Sequence, residues 1–262
     1  MRNRISLAAL LLTVPAFMAA QGPVNVGSLT FAPATNVAAI DADTMKGQPS
    51  KLAWSPDGSQ LYVQMMDGQF GVPGAKYSHH LYKVRGGQHE EVPAEPEWLS
   101  AYWAAKSGQT SPDTPALKIA LKEEVRNEKT TSAPMGGDLA RGGTSGGTGG
   151  AIPTDAIAAA YGQQAVKVVS MVLHDQLIGE YINAPIVPGQ TFGWGPKGSK
   201  VMAYAAQGNG RLIVMDETGR RQEIDDTRDA LFPAWSPDGS RLAWLEKDGK
   251  KKYVLKISTI GR

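Results

Sequence analysis

Four histidines are the first side chains to consider for chemistry: His79, His80, His89 and His174. Imidazole can ligate a metal or move a proton near neutral pH. None of the four stands in an H-E-x-x-H frame, where two histidines one helical turn apart bind zinc. His79 and His80 are adjacent and follow Asp67–Tyr77, a Gly-rich stretch longer than a hairpin turn needs. The pair is expected on a surface loop, within reach of a ligand, not in a metal site. Gly143-Thr144-Ser145-Gly146-Gly147 fits G-x-S-x-G. A nucleophile elbow needs a buried strand before the Ser and a helix after it. Glycine and threonine surround this Ser on both sides, so the segment reads as linker. Asp225, Asp226 and Asp229 make an acidic cluster between strand-like runs. It is expected as a solvated connection, with a weak cation site as the alternative. Asp57 and Asp238 each stand in Ser-Pro-Asp-Gly. A calcium loop needs several oxygen donors in one segment, and this tetrapeptide offers one carboxylate, so a turn is expected. No catalytic residue, metal or cofactor is assigned.

The element that must position these groups is a repeat. Ala53-Trp54-Ser55-Pro56-Asp57-Gly58-Ser59 returns as Ala234-Trp235-Ser236-Pro237-Asp238-Gly239-Ser240. A worn copy, Gly193-Trp194-Gly195-Pro196-Lys197-Gly198-Ser199, lies between them. A fixed internal period decides a fold before any local reading does. Each copy reads as a short strand ending in a large aromatic, then a turn, then a second strand. Pro presets φ, Asp bonds its own backbone, and Gly accepts positive φ. After the first copy, Gln60–Met65 alternates at period 2, His80–Val84 and His89–Val92 follow, and Gly86-Gly87 makes a turn. Four short antiparallel strands in such a span form one propeller blade.

Further strands are expected at 116–121, 166–171, 176–182, 201–205, 211–216, 221–224, 241–245 and 252–257, with Asn209-Gly210 as a hairpin turn. Lys247–Lys252 reads as a solvated hairpin tip. Leu99–Trp103 resembles the strand ahead of the repeat, though Ala104–Gly108 replaces its turn. Residues 123–131 fit strand or short helix. Thr154 could cap a helix over 156–161, or that run could be a strand. Residues 135–150 hold eight glycines and cannot pack a core, so they read as a flexible excursion.

The result is an all-β chain: a propeller of about five blades, with six as the alternative, entered at Trp54, Trp103, near residue 155, Trp194 and Trp235. The last blade has three strands before the chain stops. Asn36–Asp41 is expected to supply its fourth strand and close the ring. Trp54, Trp103, Trp194 and Trp235 then serve packing between blades. Trp98 and Trp244 break that pattern, and one of them could be exposed for binding.

Trp54, Pro56, Asp57 and Gly58, with Trp235, Pro237, Asp238 and Gly239, resemble the WD-like repeat of TolB-type β-propellers; Trp194, Pro196 and Gly198 match it in part. The resemblance implies an exported bacterial propeller used for binding or interaction. Similar repeats form the propeller over the active site of prolyl-oligopeptidase-like hydrolases. Lys197 departs from the motif's Asp. A helical domain ahead of the propeller, as in TolB, is not recognised, so a TolB role in particular is not implied.

Composition bounds the partners. The 262-residue chain has 27 basic and 25 acidic side chains and no cysteine. Disulfides, thiolate metal sites and a lipidated N-terminal Cys are excluded. Arg2 and Arg4, the apolar run Ile5–Val14 and the small residues before Gln21 form a signal-peptide pattern over residues 1–20, with cleavage expected after Ala20. An uncleaved anchor is the alternative. Without those two arginines the charges balance, which points away from nucleic acid and anionic membranes. Residues 21–262 are expected as one domain, periplasmic or secreted. The preferred function is a non-catalytic binding module contacting a protein or small ligand through its loops or central channel, for which His79, His80, Trp98, Asp225, Asp226 and Asp229 are candidates. A propeller-type hydrolase or lyase, and a structural part of a cell-envelope assembly, are the alternatives.

Overall fold

The computed structural model describes residues 24–68, 73–112, 118–129, 163–173, 175–182 and 186–261. The signal-peptide pattern, the 135–150 excursion with Ser145, His174 and residues 154–162 lie outside them. In chain order the strands are β1 (Thr30–Phe31), β2 (Thr35–Asp41), β3 (Gln48–Trp54), β4 (Gln60–Asp67), β5 (Lys76–Lys83) and β6 (His89–Val92). Helix α1 (Leu99–Ser107) follows. Then come β7 (Ile119–Lys129), β8 (Gln163–Leu173), β9 (Gln176–Ile182), β10 (Phe192–Trp194), β11 (Val201–Ala205), β12 (Leu212–Asp216) and β13 (Arg221–Glu223). The last three are β14 (Ala230–Trp235), β15 (Arg241–Lys247) and β16 (Lys252–Gly261). Among the described residues no helix is long and apolar enough to cross a membrane.

The strands make antiparallel meanders: β3–β6, β10–β13, the three-stranded β7–β9, and β14–β16. The last is completed from the other end of the chain. β2 pairs with β16, Ile40 opposite Tyr253 and Ala38 opposite Leu255, and β1 pairs with the end of β16. The expected N-terminal contribution to the C-terminal sheet is therefore present.

Neighbouring sheets pack face to face through three apolar cores. Trp54, Leu52 and Tyr82 meet Phe232, Leu255 and Ile40 between β3–β6 and the sheet of β14–β16 and β2. Trp235 and Trp244 meet Val201, Val214 and Leu212 at the next junction. Trp194, Phe192 and Tyr204 meet Ile119, Met171 and Tyr181 at the third. The sheets thus succeed one another in the order β7–β9, β10–β13, β14–β16 with β2, β3–β6. β14 lies against β3 on one side and β10 on the other.

Helix α1 corrects the sequence reading. Leu99–Trp103 is not a blade strand. Three alanines, a leucine and a lysine favour helix in a nine-residue run. Leu99, Tyr102 and Lys106, spaced three and four apart, all turn toward the protein. α1 lies against β3 and β10. This explains a second departure: β4 does not alternate, because Leu61–Met66 are buried on both faces. One face meets the sheet of β2 and β16, and the other meets α1 through Tyr62 and Leu99. The stretch 119–129 is strand throughout. Trp103, on α1, is half-buried and does not stand between sheets, unlike the three repeat tryptophans. Lys247 and Lys252 end the strands of a hairpin, as expected.

Candidate functional site

Adjacent residues of a strand point to opposite faces, and this divides the histidine pair. His79 and His80 lie within β5, not on a surface loop. His79 stands opposite Gln64 and turns to the α1 side; His80 stands opposite Val63 and turns to the neighbouring sheet.

On the α1 side a cleft of about 520 Å3 opens near the start of β3. Its polar groups come from five segments, Gln190 of the 186–190 segment among them. Lys51 and Ser50 come from β3, Gln64 from β4, His79 from β5, and Glu95 from the connection before α1. Lys51 Nζ is 2.7 Å from Glu95 Oε1. Gln64 Nε2 donates to the same oxygen, and Ser50 Oγ donates to Gln64 Oε1 at 2.8 Å. Tyr62 OH and His79 Nδ1 are 2.7 Å apart. Among the described residues Nε2 makes no hydrogen bond, which leaves it as the His79 ring atom for a ligand.

The aromatic wall is Tyr77 and Trp103. Gly189, at φ +80°, lets the 186–190 segment pass over Trp103. A Cβ there would stand 2.7 Å from Trp103 Cζ2. That segment is tied to β14 by the Phe232 amide, which donates to Gln190 O at 2.7 Å.

Electrostatics sort the groups into donors and acceptors. Burial pushes the Glu95 carboxyl up, but hydrogen bonding and charge from Lys51, with help from Gln64, outweigh it and hold it below its ordinary value. Glu95 is therefore a carboxylate acceptor near neutral pH. Burial, with the nearby Glu95 charge, pushes Tyr62 up, so its hydroxyl keeps its proton. Lys51 and Gln64 are donors. The cleft thus presents acceptors and donors side by side against two aromatic rings. Such a surface holds a ligand by hydroxyl or amide groups.

The other candidates are elsewhere. His80 is buried, with Nδ1 2.9 Å from His89 Nε2 and Nε2 2.8 Å from Ser78 Oγ. Burial and then the neighbouring His89 lower its proton affinity, against an opposing pull from Glu91. Asp225, Asp226 and Asp229 are exposed on the connection from β13 to β14, in a different sheet from β5. Asp226 and Asp229 take left-handed backbone conformations there. A site built from His79, His80 and Asp229 together is therefore not formed. Trp98 packs edge-on to Tyr62 and is half-buried, whereas Trp244 is wholly buried. Among the described residues no group of three or more His, Asp or Glu is placed to hold a metal.

Sequence reasoning passed over Glu95, Gln64, Tyr62 and Lys51. The usable signal was Gln64, a polar residue inside the apolar run Leu61–Met66; a buried amide needs partners.

No family model and no curated protein matches the chain. Among solved structures it is similar to TolB from Acinetobacter baumannii, at 12% identity and a TM-score of 0.27 over 82% of this chain. It is also similar to an oligogalacturonate lyase in complex with manganese, at 11% identity and a TM-score of 0.26 over 81% of this chain. Both are propeller folds. The chain spans 55% of the first structure and 65% of the second.

Proposed function

We propose that the chain is an exported, propeller-type binding module that takes a hydroxyl- or amide-bearing ligand in the cleft between β3–β6, α1 and the 186–190 segment. The observation that carries this is the convergence of Glu95, Lys51, Gln64 and His79, from separate segments, on one aromatic-walled cleft. The repeat itself contributes no group to it. The Trp-Ser-Pro-Asp-Gly copies build the sheets, while the cleft uses residues outside them. Support for a ring of blades comes from the successive face-to-face sheets and from β2 completing the C-terminal one. Support for export is the pattern in residues 1–20.

The test is binding by purified protein to arrays of immobilised oligosaccharides and of peptides, beside Glu95→Gln and His79→Ala variants. Each variant removes a group facing the cleft without emptying a core position. Loss of tenfold or more in affinity for whatever the wild type captures is expected. Ligands retained at wild-type affinity by both variants would place binding elsewhere on the molecule.

A further inference from the structure

At the other end of β3 the molecule has a second cavity of quite different character. It holds about 430 Å3 and lies between α1 and the turns of all three repeat copies. That volume is inside the range of small-molecule sites, roughly 300–1,000 Å3. Its walls are Trp98 and Tyr102 from the helix side, Trp194 and Trp235 from the repeats, and the prolines that follow them.

Charge says what would occupy it. Among the described residues two lysines, Lys106 and Lys197, and no carboxylate line the cavity. Lys106 Nζ is committed to Leu52 O, which leaves Lys197 to meet an anion. Lys197 is exposed at the position where the other two copies carry Asp57 and Asp238.

We propose that this cavity binds a small apolar molecule carrying one carboxylate, its chain or ring against the tryptophans and its anionic end toward Lys197. The site is separate from the polar cleft and does not depend on its reading. It also gives Trp98 and the departure at Lys197 a shared purpose.

Decanoate and its neutral analogue 1-decanol are the probes, read by tryptophan fluorescence and titration calorimetry on the full chain. Saturable one-site binding of decanoate is expected. Lys197→Asp, which restores the motif's residue, should weaken decanoate at least fivefold and leave 1-decanol within twofold. Ala101→Trp, on the helix wall, should fill the cavity and abolish both. If its far-UV dichroism shows misfolding, Ala105→Phe serves instead. His79→Ala should leave decanoate binding unchanged, which separates this site from the cleft. Absence of saturable binding to the wild type overturns the proposal. So does full decanoate affinity in a correctly folded Ala101→Trp or Ala105→Phe protein. Equal weakening of both probes by Lys197→Asp overturns the anionic preference.

Discussion

The Asp of the repeat is a fastener, and its two good copies are built alike. Asp57 Oδ1 accepts from Ser55 Oγ at 2.5 Å and from the Ser59 amide at 3.0 Å, while Oδ2 accepts from Ser59 Oγ at 2.7 Å. Asp238 does the same with Ser236 and Ser240 at 2.5, 3.1 and 2.6 Å. In the worn copy Lys197 cannot accept, and Ser199 Oγ donates to Pro196 O instead. The hydroxyls of Ser55 and Ser59 hold the Asp57 carboxyl down to about 2, from an ordinary 3.8. A carboxylate whose folded value is depressed stabilises the fold above its unfolded value, and that contribution is lost as pH falls through the folded one. The window here is pH 4 down to about 2. Because Asp57 is exposed and screened, its share is set low, about 1 kcal/mol. Asp57→Asn should therefore cost about 1 kcal/mol in urea denaturation at pH 6 and lose much less at pH 2. A cost that did not shrink with pH would mean that shape, not charge, holds the turn. This much was readable in the sequence, since turn chemistry is local. The cleft was not readable, because Glu95 and Lys51 are 44 positions apart and meet only when β3 and the pre-helix connection fold together.

At the scale of elements, α1 is what the repeat could not foretell. β3 and β14 pair on one side only, and a strand edge leaves carbonyls that need donors. Helix α1 supplies two of them. Lys106 Nζ donates to Leu52 O at 2.8 Å and Tyr102 OH to Trp235 O at 2.9 Å. Trp54 Nε1 serves Ala234 O in the same way. Burial drives the Lys106 amine well below its ordinary range, so it sits there as a hydrogen-bond donor beside the Trp103 ring, 4.8 Å from its centre. Its stem crosses β10 at Gly193, where a Cβ would be 2.5 Å from Pro233 O and 3.1 Å from Lys106 Cε. The aromatic pair Tyr102-Trp103 imitates the repeat's Ala-Trp, which drew the strand reading. The spacing of Leu99, Tyr102 and Lys106 fits the helix that forms instead. Tyr102→Phe should cost about 1 kcal/mol, the worth of one buried hydrogen bond whose acceptor is left unpaired. Gly193→Ala should cost more, about 2 kcal/mol or above, because backbone and not a flexible side chain stands in the way. Denaturant midpoints of the two variants decide it. If Gly193→Ala were the milder, β10 would not approach β14 at Pro233 as closely as the geometry requires.

At the scale of the whole molecule, the decisive contact joins the two ends of the chain. The sheet succession was legible because the Trp copies recur. The pairing of β2 with β16 was legible because a three-stranded last sheet leaves an edge. The number of sheets was not, since α1 interrupts the period and residues 130–162 carry no repeat. Closing β2 onto β16 spans more than two hundred residues, so it carries a large entropy cost before any contact forms. Native contacts at the junction must offset that cost. Ile40, 1% exposed, is the residue of β2 that reaches furthest into the core shared by β3–β6 and β14–β16. Val125, on β7, is 72% exposed and faces no such junction. Ile40→Ala should therefore cost about 2–4 kcal/mol, while Val125→Ala stays within about 0.5 kcal/mol. The loss at Ile40 should appear mainly as faster unfolding if β2 docks last, because contacts absent from the transition state slow only unfolding. Stopped-flow chevrons of the two variants separate the possibilities. A lowered refolding rate for Ile40→Ala would instead place β2 in the nucleus, with the ends of the chain meeting early.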